Sequence, residues 1–163
     1  MSNKIYRNKT LRLKNYDYSQ NGLYFITISS NNKNTYFGEI KEGILIPNDA
    51  GKMVEKIWLE MFSRFDFIKL HHYIVMPNHF HSIVEISNRE NSFHLGRVIG
   101  AFKSISTNAY INGVHEYAWI GFEKRLWQKN YYEHIIRSEK SYLYISDYIA
   151  TNPLKWKEDK FYV

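Results

Sequence analysis

Phe67-Ile68-Lys69-Leu70-His71-His72-Tyr73-Ile74-Val75-Met76-Pro77-Asn78-His79-Phe80-His81-Ser82-Ile83-Val84-Glu85-Ile86 is the stretch that decides how this chain folds. Residues 67–76 are rich in strand formers, Pro77-Asn78 is a turn signal, and residues 79–86 read as a second strand. Side chains on a strand alternate between faces, so His79 and His81 point the same way, about 6 to 7 Å apart along the backbone. From such a pair two imidazoles can converge on one metal ion. Taken alone, His-x-His names neither a metal nor a reaction.

Upstream, Tyr24-Phe25-Ile26-Thr27-Ile28 reads as a strand. Phe37-Gly38-Glu39-Ile40 and Ile44-Leu45-Ile46 flank Lys41-Glu42-Gly43, a hairpin signal. Asn48-Asp49 offers an N-cap for a helix on which Met53, Val54, Ile57, Trp58, Met61 and Phe65 recur at helical spacing. Downstream, Asn88–Ser92 reads as a polar loop. Leu95, Val98, Ile99, Phe102 and Ala109 mark a second amphipathic helix, expected to end at Asn112-Gly113. Leu126 to Ile136 reads as a further strand. Ser138 caps a last helix from Glu139 to about Asn152, where Pro153 stops it. The order β, hairpin, α, β, β, α, β, α predicts an α+β fold: a ferredoxin-like or RRM-like antiparallel sheet with helices packed on one face.

With 163 residues and 44% apolar content, the chain has the size and core of a single domain spanning residues 1–163. No cysteine is present, which excludes disulfides and thiolate zinc sites. No apolar run is long enough to cross a membrane, and Met1-Ser2-Asn3-Lys4-Ile5-Tyr6-Arg7 lacks an apolar signal region, so a cytoplasmic location is expected. The net charge is +6 and unevenly spread: residues 1–20 hold Lys4, Arg7, Lys9, Arg12 and Lys14 against Asp17 alone. Mixed with Tyr6, Tyr16 and Tyr18, this basic arm suits either phosphate contact with base stacking or simple solubilisation.

On the last helix, Tyr142, Ile145 and Ile149 form an apolar stripe, and Tyr144, Tyr148 and Asn152, each four apart, run beside it at the edge of the buried face. Tyr148 is thus placed to be a phenol held rigidly but left accessible, and Asn152, one turn on, can offer an amide oxygen to a metal. Two imidazoles and an oxygen ligand leave open positions for a hard oxygen substrate such as phosphate, which favours Mg²⁺ or Mn²⁺. Glu85 shares the histidine face but lies two pleats beyond His81. There is no glycine-rich phosphate loop and no G-x-S-x-G elbow.

Val75-Met76-Pro77-Asn78-His79-Phe80-His81 resembles the HUH motif (histidine, bulky hydrophobe, histidine) of single-tyrosine transposases from bacterial insertion sequences. Trp127-Gln128 with Tyr131-Tyr132-Glu133-His134, and Asp147-Tyr148-Ile149-Ala150-Thr151-Asn152-Pro153, resemble the subgroup called REP-associated tyrosine transposases. So do Arg12-Leu13-Lys14-Asn15-Tyr16-Asp17-Tyr18-Ser19 with Gly22-Leu23-Tyr24-Phe25, and Phe37-Gly38-Glu39-Ile40. The resemblance implies metal-dependent cleavage and transfer of single-stranded or hairpin DNA. It implies His79, His81 and Asn152 as metal ligands, and Tyr148 as the nucleophile that forms a 5′-phosphotyrosine. It leaves both a monomer and a homodimer open.

Arg7, Arg12 and Lys14 in the arm, Arg97, Lys103 and Ser104 on the second helix, and Lys124, Arg125 and Lys129 before the late strand are expected to meet the DNA backbone. Trp127 is read either as core or as a stacking platform, and His71, His72 and His134 as structural or surface residues. The competing functions are a domesticated DNA-binding protein without turnover, an RNA-binding module, and a plain metal-binding protein. The last would leave Tyr148 unexplained.

Overall fold

Along β1 (Gly22–Ser29), Tyr24, Ile26 and Ile28 face one side and Leu23, Phe25 and Thr27 the other, and both sides are covered. The computed structural model describes residues 21–87 and 94–163; Arg7, Arg12, Lys14 and the Asn88–Ser92 loop lie outside them. After β1 come β2 (Gly38–Lys41), β3 (Ile44–Pro47), α1 (Asp49–Arg64), β4 (Ile68–Met76), β5 (His79–Ile86), α2 (Leu95–Tyr117), β6 (Tyr132–Ile136), α3 (Glu139–Thr151) and a 3₁₀ stretch, Asn152–Glu158.

The main sheet has four strands in the order β4-β5-β1-β6, with every pairing antiparallel. Setting aside the β2–β3 hairpin, the connectivity is β-α-β-β-α-β, the ferredoxin-like arrangement expected from the sequence. That hairpin closes through Glu42 (φ 52°) and Gly43 (φ 76°), the two left-handed residues that a tight hairpin turn demands. Helix α1 starts where Asn48 Oδ1 accepts from the Gly51 N–H at 2.9 Å, a cap contributing about 1 kcal/mol.

Helices α1 and α2 cover one face of the sheet. There Trp58, Phe80 and Phe102 meet ring to ring among Tyr24, Ile26, Ile28, Val84 and Ile86. Helix α3, expected to share that face, lies instead on the opposite one, where Ile145 and Ile149 pack on Phe25, Ile83 and Ile136. The histidine pair is on this second face.

Two expected boundaries move. Helix α2 runs through Asn112-Gly113 to Tyr117 and ends at Ala118, whose φ is 55°. Gly113 is buried against the Trp119 ring, which a Cβ there would overlap, so this glycine serves close packing and not termination. Residues 126–131 are not strand: Trp127 makes a single bridge to Ser30, and the strand begins at Tyr132. The Trp127 ring is in the core instead, stacked on Phe37 at 4.8 Å with its indole N–H donating to Ser106 Oγ at 2.9 Å.

Candidate functional site

Strand β5 lies between β4 and β1, and this central position places His79 opposite Ser29 and Met76, and His81 opposite Thr27 and Ile74. Their side chains are 0% and 1% exposed, and the ring centroids are 4.6 Å apart. One nitrogen of each ring is already committed. His81 Nδ1 is 2.8 Å from the Thr27 hydroxyl. His79 Nδ1 is 2.9 Å from Asn78 Oδ1. The Asn78 amide nitrogen donates to the Lys33 and Phe161 carbonyls at 3.0 and 2.8 Å, which fixes its oxygen toward His79. His79 therefore carries its proton on Nδ1, and Nε2 keeps a bare lone pair, buried with no hydrogen-bond partner. Burial lowers the His79 pKa to about 4, against an opposing pull from Asp159. Burial, then the charges of His79 and Lys160, hold His81 well below the ordinary range. Both rings are neutral near pH 7, the form in which imidazole binds metals.

Helix α3 brings up the rest. Ser138 Oγ accepts from the Ser141 N–H at 3.1 Å, as the sequence suggested, and Ile145 and Ile149 seat the helix on the sheet. Tyr148 is half-buried, edge-on to Phe25, with its hydroxyl 3.5 Å from His81 Nε2. Burial, reinforced by the Asp159 charge, raises its phenol to about 12. Asn152, one turn on, is 1% exposed; its amide nitrogen donates to Asp159 Oδ2 at 2.9 Å while its Oδ1 has no partner. The helical chain continues past Pro153 as a 3₁₀ stretch, because proline in a first turn has no N–H to miss. Of the tyrosine stripe, Tyr144 is 75% exposed and points to solvent.

The segment after Asn152 belongs to the site, although no motif in the sequence points to it. Phe161 stacks on His79 with centroids 4.3 Å apart, and Trp156 stacks on the same ring at 6.0 Å. Asp159 supplies a carboxylate whose ligand atom, with one each from His79 and His81, falls in a group all within 4.8 Å, so the cluster could hold a metal ion. Its Oδ1 also accepts from the Phe161 N–H at 2.8 Å. Lys160 sets its ammonium 5.5 Å from the Tyr132 ring centroid, at the edge of the same face. No spacing rule marks these residues: they reach the histidines by long-range packing.

The expected DNA-contacting residues divide. Lys103, Ser104, Lys124, Arg125 and Lys129 share one open groove of about 560 Å³ between α2 and the loop before β6. Within it the Lys103 ammonium donates to the Gln128 carbonyl at 2.8 Å, pinning the loop. Arg97 is exposed near the start of α2, outside that groove. Gln128 N–H donates to Ser29 O at 2.9 Å, and Ser29 pairs with His79, so the groove and the histidines share one end of the sheet. Glu85 is engaged elsewhere, with its Oε2 2.9 Å from His71 Nε2. His71 also meets the Tyr142 hydroxyl at 3.0 Å, while His72 and His134 are exposed.

A family model described as "Transposase IS200 like" matches residues 24–152, a span that includes His79, His81, Tyr148 and Asn152 and stops short of Asp159. An uncharacterized protein of Haemophilus influenzae is 35% identical over 179 residues, covering 98% of this chain and 95% of that protein. Among solved structures, a REP-associated tyrosine transposase bound to a REP hairpin superposes with a TM-score of 0.65 at 21% identity, over 88% of this chain and 73% of that one. A Deinococcus radiodurans R1 protein described provisionally as a transposase gives 0.52 at 15% identity, over 85% and 96%. These two likenesses are of fold.

Proposed function

The chain belongs to the IS200-like transposase family, and on that premise we propose that it cleaves and rejoins single-stranded or hairpin DNA through a 5′-phosphotyrosine on Tyr148. The observation that carries this reading is the Tyr148 hydroxyl lying 3.5 Å from a nitrogen of the buried histidine pair. The atoms offered there suit a divalent cation. His79 Nε2 and Asn152 Oδ1 are buried polar atoms without partners, which cost free energy unless something binds them. His79, His81 and Asn152 would hold Mg²⁺ or Mn²⁺, which when bound supplies Lewis-acid stabilisation of charge on a phosphate oxygen.

The chain's own groups do the remainder. The Tyr148 oxygen attacks phosphorus, forming a Tyr O–P bond. The P–O3′ bond breaks with its electron pair on the 3′ oxygen, the phenol proton is given up, and the leaving oxygen gains one. A later 3′-OH reverses the exchange with no external energy source, because the phosphodiester is stored as a phosphotyrosine. Helix α3 holds the phenol in place through Ile145 and Ile149. Tyr148 stands beside His81 of its own chain, so this reading needs no second copy to complete the site, as a monomer or within a homodimer. Ser104, Lys124, Arg125 and Lys129 would carry the DNA backbone along the groove toward the histidine end of the sheet, with Lys103 holding the groove's shape. Arg97, and Arg7, Arg12 and Lys14 of the arm, would add contacts elsewhere on the DNA.

The rival reading is a hairpin- or sequence-specific DNA-binding protein without turnover. Incubation with Mn²⁺ and labelled hairpin DNA separates the two. A covalent adduct that survives a denaturing gel, absent in Tyr148→Phe, is expected. Hairpin binding with no adduct under any divalent ion would replace the enzyme reading with the rival.

A further inference from the structure

We propose that Asp159 is a fourth protein ligand of the metal site, so that the C-terminal segment closes around the ion an N₂O₂ set of His79, His81, Asn152 and Asp159. This rests on the metal reading above and adds to it a residue outside the span shared with the family model, which ends at Asn152.

The geometry is already in place. Ligand atoms of His79, His81 and Asp159 lie within 4.8 Å of one another, close enough for a single ion to reach all three. Asp159 does not swing freely. Its Oδ2 accepts from the Asn152 amide at 2.9 Å and its Oδ1 from the Phe161 N–H at 2.8 Å, and each oxygen keeps a further lone pair. The same Asn152 bond turns the Asn152 amide nitrogen outward to Asp159 and leaves Oδ1 without a partner. Phe161, two residues on, stacks on His79 and offers its carbonyl to Asn78, so the backbone on the far side of Asp159 is anchored to the residue that orients His79.

Charge gives a second argument. The two neutral imidazoles and the amide bring no charge to a dication in a site whose histidines are almost wholly buried. A carboxylate is the group that offsets such a charge at low solvent exposure, and oxygen ligands suit hard divalent ions.

Mn²⁺ titration of the apo protein, read by calorimetry and by the loss of the free-ion EPR signal, tests this without DNA. Wild type should take up one Mn²⁺ per chain, and His79→Ala should bind none. Asp159→Asn, close in shape, should weaken binding at least about tenfold, since even the outer hydrogen-bond partners of metal ligands are worth about 10- to 100-fold. The loss should persist when Asp159→Asn is added to Asn152→Ala, which separates ligation from a role exerted through Asn152. Asp159→Ala should reproduce the loss, and circular dichroism melts identify any variant that fails to fold. Wild-type affinity in Asp159→Asn, or a loss that vanishes in the Asn152→Ala background, overturns the fourth ligand and leaves the three-ligand reading standing. No uptake by wild type overturns both.

Discussion

Alternate residues of β1 and β5 serve two unlike halves of the molecule. On the α1/α2 side, Tyr24, Ile26, Ile28, Phe80, Val84 and Ile86 close into a large core with Trp58 and Phe102. On the α3 side, Phe25, Ile83, Ile136, Ile145 and Ile149 make a small cluster, and the positions beside it hold Thr27, His79 and His81. The first side supplies most of the buried apolar area; the second holds His79 Nε2 and Asn152 Oδ1, buried acceptors that lack partners in the protein. Stability and chemistry are thus divided within single strands, one residue apart. A one-residue slip of β5 would exchange them, so the large core also holds the histidines in register.

The sharpest way to break this contrast is to truncate neighbours. Phe80→Ala should cost about 3–5 kcal/mol in urea unfolding yet leave Mn²⁺ binding to the folded fraction unchanged. His81→Ala, the next residue on the opposite face, should abolish Mn²⁺ uptake with a smaller change in melting temperature. If Phe80→Ala removes metal binding while remaining folded, the two faces are not independent. Gly113→Ala, on the core side, puts a methyl group against Trp119 and should destabilise by about 1–3 kcal/mol in the same unfolding assay, with hairpin cleavage unaffected. Thr27→Val, on the site side, removes the hydroxyl beside His81 Nδ1 and should lower Mn²⁺ affinity about 10- to 100-fold at near-constant stability.

The smallest effect lies at the far end of the site face. The His71 hydrogen bond, with Lys69, holds the Glu85 carboxyl below its usual range. Its contribution is therefore present above the unfolded carboxylate pKa and is lost as pH falls through the lower folded value. Glu85→Gln should cost less than about 1 kcal/mol at pH 7, a deficit that disappears near pH 3 when urea midpoints are compared.

The division between the faces was partly legible in the sequence. Strict alternation along residues 79–86 placed both histidines on one face, four-residue spacing put Tyr148 one turn from Asn152, and the capping side chains of Asn48 and Ser138 marked where two helices start. These are local rules, and the structure follows them. The ferredoxin-like sheet followed from element order, but the placing of α3 opposite α1 and α2 did not, since an amphipathic stripe does not say which face it covers. Gly113 carried the usual signal for a helix end and was overridden by the Trp119 ring. Trp127 has the side chain of a strand former and is held instead by Phe37 and Ser106. Phe161 was invisible because Asn78 and His79, which it meets, are about 80 residues away along the chain, and Asp159 because the histidines it joins are equally distant.

Asn78 ties three distant stretches of chain together with one amide: Lys33 and Phe161 through its nitrogen, His79 through its oxygen. A single chemical change at this amide would therefore be felt in all three. Hydrolytic loss of ammonia from this side chain would replace two donors with a carboxylate oxygen facing two carbonyls. Lys33 and Phe161 would both be repelled, and the aromatic cover over His79 would lose one of its fastenings. The imidazole would keep an acceptor at Nδ1, now a charged one, so the histidine would outlast the segment that shields it.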